Sequence, residues 1–129
     1  AGIRFAYHNH DFEFADLEGQ VPYDLLLERT EPDFVAMEID LYWIRAVGHE
    51  PLPYFEQYPG RFKLCHVKDM DLAGAMTEVG SGIIDFASDF GQASLAGLEH
   101  FFVEHDDPTD PLASIATSFE GLKALLNRA

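Results

Sequence analysis

Cysteine is almost absent from this chain: Cys65 stands alone among 129 residues. A single thiol excludes an internal disulfide, so oxidative cross-linking is no part of the design. Cys65 lies inside an apolar run, where it is expected to act as a small buried hydrophobe. Basic residues are scarce too, with 8 Lys and Arg against 23 Asp and Glu and a formal net charge of −15. Nucleic acids and anionic membranes both call for clustered Lys and Arg, so neither is an expected partner. No run approaches the ~18 apolar residues of a membrane span, and no signal-peptide pattern is visible. The cytoplasm is therefore the expected compartment. Gly80-Ser81-Gly82 is too short a glycine signal for a phosphate site, and no Gly-x-Ser-x-Gly element occurs.

What is present is enough apolar material for one domain over residues 1–129, with 47% hydrophobic residues. Gly2 to His8, Val35 to Asp40, Phe62 to Val67 and His100 to Glu104 read as strands. Between them, Pro22 to Glu28 reads as a helix opening on proline, and Pro51 to Gln57 as a short helix stopped by Pro59-Gly60. Asp69 to Gly82 reads as irregular, and Ile84 to Leu95 as helical in part. Asp110-Pro111 caps a final helix, Leu112 to Leu126, with apolar residues recurring at Ile115, Phe119, Leu122 and Leu126. Such alternation predicts an α/β fold of four βα units around a parallel sheet with right-handed crossovers.

Each strand ends on a side chain able to bind a metal: His8, Asp40, His66 and Glu104, each about 30 residues from the next. A parallel sheet brings all of them to its carboxyl edge, where α/β folds bind ligands. Side chains alternate along a strand, so Ala6 and His8 share a face, as do Glu38 and Asp40, Leu64 and His66, and Phe102 and Glu104. The opposite face carries Tyr7, Met37, Ile39, Cys65, Val67 and Val103, as expected where helices pack. Continuing the same parity gives His10, Tyr42, Lys68 and Asp106 as a second polar layer. Two imidazoles and two carboxylates suit Mn, Zn, Fe or Co more than Mg or Ca. The bland alternative is that these residues cap helices and satisfy local hydrogen bonds. Tyr42 and Trp43 either line a sugar pocket or pack in the core. Asp69-Met70-Asp71 and Asp106-Asp107 suit cation binding or simple solvation. His49 and His105 lack matching partners and are taken as structural or surface residues.

These stretches resemble the sugar phosphate isomerase/epimerase family, the xylose isomerase-like TIM barrels related in fold to the endonuclease IV group. The resemblance rests on Tyr7-His8-Asn9-His10-Asp11-Phe12-Glu13-Phe14, Glu38-Ile39-Asp40-Leu41-Tyr42-Trp43, His66-Val67-Lys68-Asp69 and Val103-Glu104-His105-Asp106. It implies the C-terminal half of a (β/α)8 barrel, strands five to eight. It also implies a divalent metal ion held by Asp40, His66 and Glu104, with position 8 as the fourth ligand. Many epimerases of this group carry Glu where His8 stands. Two-base epimerisation needs a carboxylate on each face of the reacting carbon, and a metal-bound imidazole replaces one poorly.

The expected chemistry is metal-assisted proton abstraction next to a carbonyl of a sugar, with Glu104 as base and Lys68 steadying oxyanion charge or supplying a proton. His10, Tyr42, Trp43 and Lys68 are the expected substrate contacts. Isomerisation or epimerisation leads, with elimination or hydration of a keto-sugar as the alternative. Phosphodiester cleavage fits poorly with the acidic charge. A half-barrel leaves sheet edges open, so the expected partner is a second copy or a missing N-terminal half.

Overall fold

The computed structural model describes residues 2–127. Its strands are β1 (Phe5–His8), β2 (Val35–Asp40), β3 (Phe62–Val67), the short pair β4 (Asp69–Met70) and β5 (Met76–Thr77), and β6 (His100–Val103). Its helices are α1 (Pro22–Arg29), α2 (Leu41–Ala46), α3 (Pro51–Gln57), α4 (Phe86–Gly91), α5 (Ala93–Ala96) and α6 (Pro111–Leu126). The main sheet has the order β1-β2-β3-β6, and every pairing is parallel. Spatial order follows chain order without reversal. That is the winding of a barrel segment, whereas a doubly wound sheet turns back at its first strand.

The apolar face of this sheet is buried as its alternation requires. Met37, Ile39, Cys65 and Val67 are fully covered, with Tyr23 and Leu27 of α1, Ile44 of α2 and Phe55 of α3 in the same core. Burial pushes the Cys65 thiol well above its ordinary pKa, consistent with a small hydrophobe. A register shift between Met37 and Glu38 refines the pattern. Met37 opposes Phe62, while Glu38 opposes Leu64 and Asp40 opposes His66. Lys63 is the extra residue, and the bulge lets Phe62 join the buried face, its ring 5.1 Å from that of Phe55.

Several expectations need correction. The first strand begins at Phe5 rather than Gly2, and the last ends at Val103 rather than Glu104. Helix α2 lies outside the expected elements, and it begins directly after Asp40. The segment from Asp69 to Gly82 is ordered by the β4–β5 hairpin and by Asp69 itself. The buried Asp69 carboxylate accepts hydrogen bonds from the backbone N–H groups of Met70, Gly80, Gly82 and Ile84. These donors form an anion nest filled from within the chain, so Asp69 serves its own backbone rather than a cation. Gly82 is required there, because a Cβ would lie 2.3 Å from Asp69 Oδ1. The expected helix from Ile84 to Leu95 is two short helices parted at Gln92.

Helix α6 starts as predicted, with the Asp110 side chain accepting from Ala113 N. Its buried residues are Ser114 and Ser118, and Val79 N donates to Ser118 Oγ over 3.1 Å. Gly121 sits so close to this loop that a Cβ would meet Val79 O at 1.8 Å. A backbone segment packs against the helix here, which demands small residues. The recurring apolar residues Ile115, Phe119 and Leu126 face outward instead, while Leu122 packs on the core. Among the described residues, no helix is long and apolar enough to cross a membrane.

Candidate metal centre

Asp40 organises the carboxyl edge of the sheet because its two oxygens face different ways. Oδ1 accepts from Tyr42 N at 2.9 Å and Trp43 N at 3.0 Å, capping α2. Oδ2 lies 3.1 Å from His8 Nε2 and 3.1 Å from Lys68 Nζ. The cap and the site readings of this residue therefore hold together, one on each oxygen. Asp40 is fully buried, and the side chain of fully buried Asn9 accepts from its backbone N–H at 3.0 Å.

His66 joins this group from β3. Its ring stacks on His8 with centroids 4.0 Å apart, and Nδ1 lies 2.6 Å from Glu104 Oε2. His8, Asp40 and His66 each present a ligand atom, and these atoms lie within 4.8 Å of one another. Glu104 stands outside that triplet but touches it through His66. Glu38 falls on the polar face by parity without an expected role, yet its Oε1 lies 2.8 Å from His66 Nε2. Sequence reasoning missed it, although its position two residues before Asp40 was the available signal.

Lys68 is 2% exposed, and its ammonium is surrounded by carboxylates. Its Nζ stands 3.1 Å from Asp40 Oδ2, 2.8 Å from Glu104 Oε2 and 3.3 Å from Asp106 Oδ1. The Trp43 ring lies alongside, its centroid 5.8 Å away. Burial works against the charge, but the Glu104 and Asp40 carboxylates outweigh it and hold the Lys68 pKa above its ordinary value. Burial would raise Glu104, yet Lys68 and His66 win and keep its carboxyl below the usual range. Near neutral pH the pair is an ammonium and a carboxylate.

The second layer forms only in part. Lys68 and Asp106 meet as parity suggested. His10 stacks near His8 at 4.9 Å and approaches Trp43 at 5.7 Å. It is held by buried Glu13, which accepts from His10 N and from the Tyr7 hydroxyl, both at 2.8 Å. Burial and the Glu13 contact push the Tyr7 phenol up to about 12. Tyr42 departs from the strand parity because it belongs to α2. It is buried, and its hydroxyl donates to Gly74 O at 2.9 Å, tying α2 to the β4–β5 turn. Trp43 packs edge-on against Tyr42 and borders a cavity with Met76, His105, Asp106 and Asp107. His105, expected to lack partners, pairs with Ser114 Oγ at 3.0 Å.

The donor set fits a divalent transition ion. Two imidazoles and a carboxylate converge, with Glu104 beside them, and their softness suits Mn, Zn, Fe or Co. The charge balance agrees: Asp40, Glu104 and Asp106 gather around a single ammonium, and Glu38 lies against His66. Three carboxylates against one ammonium leave negative charge that a further cation would neutralise.

No family model matches the chain. A sugar phosphate isomerase/epimerase from Parabacteroides distasonis ATCC 8503 superposes with a TM-score of 0.81 at 30% identity, covering 95% of this chain and 46% of that one. A second solved structure of that description and organism gives a TM-score of 0.70 at 31% identity, covering 96% and 44%. Among curated proteins, an inosose dehydratase of Geobacillus thermodenitrificans is 28% identical, over 95% of this chain and 46% of its own. An inosose dehydratase 2 of Bacillus cereus is 25% identical, over 88% and 43%. The chain thus spans just under half the length of the relatives it matches. In fold and in sequence it resembles one half of a sugar phosphate isomerase/epimerase barrel of the xylose isomerase-like kind.

Proposed function

We propose that this chain carries the divalent-metal site of an enzyme acting on a sugar or keto-sugar, and that its reaction begins with proton abstraction next to a carbonyl. The observation that carries this reading is the cluster itself: His8, Asp40 and His66 within 4.8 Å, with Glu104 and Lys68 2.8 Å apart beside it. His8, Asp40, His66 and Glu104 are the residues that would hold the ion. A bound ion would supply Lewis-acid stabilisation to the oxyanion that develops when the proton leaves.

The remaining steps belong to the chain. Glu104 is ionised and partly exposed, so it can take the proton from the carbon next to the carbonyl. Lys68 keeps its proton and steadies negative charge on oxygen, a role its raised pKa favours over that of acid. Glu104 can then hand its proton to a departing hydroxyl, releasing water and returning to its starting state. This single-carboxylate shuttle closes the proton balance of an elimination. The same shuttle, returning the proton to the former carbonyl carbon while the neighbouring hydroxyl's proton passes to the former carbonyl oxygen, gives aldose–ketose isomerisation, the reading favoured by the names of the solved neighbours.

Epimerisation fits less well. It needs a second base on the opposite face of the carbon, and position 8 is an imidazole against Asp40. Glu38 does not replace it, because it lies two residues before Asp40, one layer deeper toward the amino end of the strands. The dehydratase reading therefore stands first among the outcomes, supported by the names of the curated relatives. The cavity beside Trp43 and Asp106 is about 380 Å³, adequate for a monosaccharide-sized ligand; of the proposed substrate contacts His10, Tyr42, Trp43 and Lys68, Trp43 lines it, and His10 and Lys68 stand 5.7 and 5.8 Å from the Trp43 ring.

The decisive test pairs metal content with turnover in wild type, His66→Ala and Asp40→Asn. Loss of bound metal in both variants is expected, and unchanged content in both would sink the site. Water release from a keto-sugar, with solvent deuterium entering recovered substrate at the carbon next to the carbonyl, identifies the dehydratase. Deuterium entry with an aldose or ketose product identifies the isomerase. We further propose that the sheet is completed by a second copy or by a missing half. Exposed Phe5 and Phe34 near β1, and Leu112 and Phe119 on α6, support this. Light scattering checks it, since a lone monodisperse monomer of 129 residues would count against pairing of copies.

A further inference from the structure

Lys68 and the proposed metal ion make competing claims on the same oxygens. The ammonium is within 3.1 Å of Asp40 Oδ2 and 2.8 Å of Glu104 Oε2, and both residues belong to the proposed ligand set. Asp106, the third carboxylate at Lys68, is not in that set, and both of its oxygens lie 3.3 Å from Nζ. Asp106 has partial access to solvent, while Asp40 has none. A divalent ion on Asp40 and Glu104 removes two of the three partners of a buried cation and adds repulsion between like charges.

Resting on the metal reading above, we infer that Lys68 is an internal cation that occupies the ligand carboxylates when the ion is absent, and that Asp106 is the positioning residue that retains the ammonium when the ion binds. Metal uptake is then an exchange of cations. Lys68 gives up Asp40 and Glu104 while Asp106 holds it on the side of the Trp43 cavity, where a substrate oxygen would lie. The ammonium keeps a counter-charge in both states, which a buried lysine requires. One consequence is specific: Asp106 matters to metal affinity only through Lys68. Negative charge acting on the ion directly would show no such dependence.

The test is a double-mutant cycle on Mn²⁺ affinity, read by calorimetry and by electron paramagnetic resonance of free Mn²⁺. It uses the whole chain as wild type, Lys68→Met, Asp106→Asn and the double variant. Lys68→Met is expected to tighten binding on the order of tenfold, because the competing cation is gone. Asp106→Asn is expected to weaken it roughly three- to tenfold in the wild-type background and to have little effect beside Met at position 68. Equal weakening in both backgrounds overturns the inference, as does unchanged or weaker binding in Lys68→Met. Binding by none of the variants, with folded spectra, removes the metal reading itself and the exchange with it. Where Lys68→Met fails to fold, Lys68→Gln supplies the same arm, keeping a polar head without the charge.

Discussion

The two ends of the same sheet carry ion pairs of similar length and opposite meaning. At the amino end, Glu99 pairs with Lys63 at 3.2 Å and Arg4 at 3.4 Å, all of them open to water. At the carboxyl end, Lys68 pairs with Asp40 at 3.1 Å and Glu104 at 2.8 Å while 2% exposed. Exposed pairs contribute little, because water and salt already stabilise each charge. Buried ones draw on a large desolvation cost, so a fold selected for stability alone would put apolar residues there. The buried Lys68 pairs at the carboxyl end are therefore where the proposed chemistry, and not stability, accounts for the charge.

Asp40→Ala should break this contrast most forcefully. It removes the N-cap of α2, which is worth about 1 kcal/mol, and strips a buried ammonium of one partner, a loss of about 3–5 kcal/mol in comparable sites. Urea unfolding of the metal-free protein checks it, and a loss below about 1 kcal/mol would mean that the cluster is not strained by burial. Asp40→Asn keeps a capping oxygen for Tyr42 N and Trp43 N and separates the two contributions.

Lys68→Met should come next. Methionine refills the apolar volume, so the cost falls to about 1–3 kcal/mol for carboxylates left without their ammonium. The corresponding change at the other end, Lys63→Met, should leave the unfolding midpoint unmoved. Equal effects at the two lysines would erase the distinction between the two ends.

This contrast is only half legible in the sequence. Period-two alternation and the length of the βα units are enough to place His8, Asp40, His66 and Glu104 on one edge, because those signals are local. The strand limits Val35–Asp40 and Phe62–Val67 match the sequence reading, with Pro32-Asp33 and Pro59-Gly60 ahead of the two runs. The contact between Glu38 and His66 is invisible there, because it is diagonal between strands and depends on a bulge with no sequence mark. Tyr42 defeats strand parity because the cap that Asp40 itself provides ends the strand before it. Asp69 looks like a cation ligand because an acidic pair in sequence does not reveal four backbone donors folding onto one of its members.

The pH profile of metal-free stability offers a smaller effect that still discriminates. Glu104 is depressed below 4.5, so its contribution is present above that value and is lost as pH falls through its lowered pKa. Lys68 is raised above 10.5, so its contribution is present below that value and is lost as pH rises through its raised pKa. Stability should therefore hold between these limits and decline on both sides. Lys68→Met should reduce the alkaline decline, leaving the part owed to tyrosines with raised pKa values such as Tyr7 and Tyr23, and blunt the acid one, because Lys68 is a leading cause of the Glu104 shift. An unchanged alkaline limb in that variant would locate the titrating group elsewhere.

The smallest effect is expected at Glu99, where the side-chain hydrogen bond and charge of Lys63, then Arg4, lower the carboxyl. A lowered carboxyl adds stability above its ordinary range that disappears in acid, so Glu99 feeds the same acid limb as Glu104. The two differ in their response to salt. At about 1 M salt the screening length is ~3 Å, comparable to the Lys63–Glu99 separation, and water reaches both side chains of that pair. Glu104 is as exposed as Glu99, but its partner Lys68 is 2% exposed against 32% for Lys63, so ions screen the Lys68 pair less. Glu99→Gln should thus leave the thermal midpoint unchanged at neutral pH and move the acid limb slightly in dilute buffer, with no difference from wild type in salt. The Glu104 part of the acid limb should be reduced by salt less than the Glu99 part in both proteins. If salt flattened that limb completely, the Lys68 cluster would have to be as wet as the pairs at the amino end.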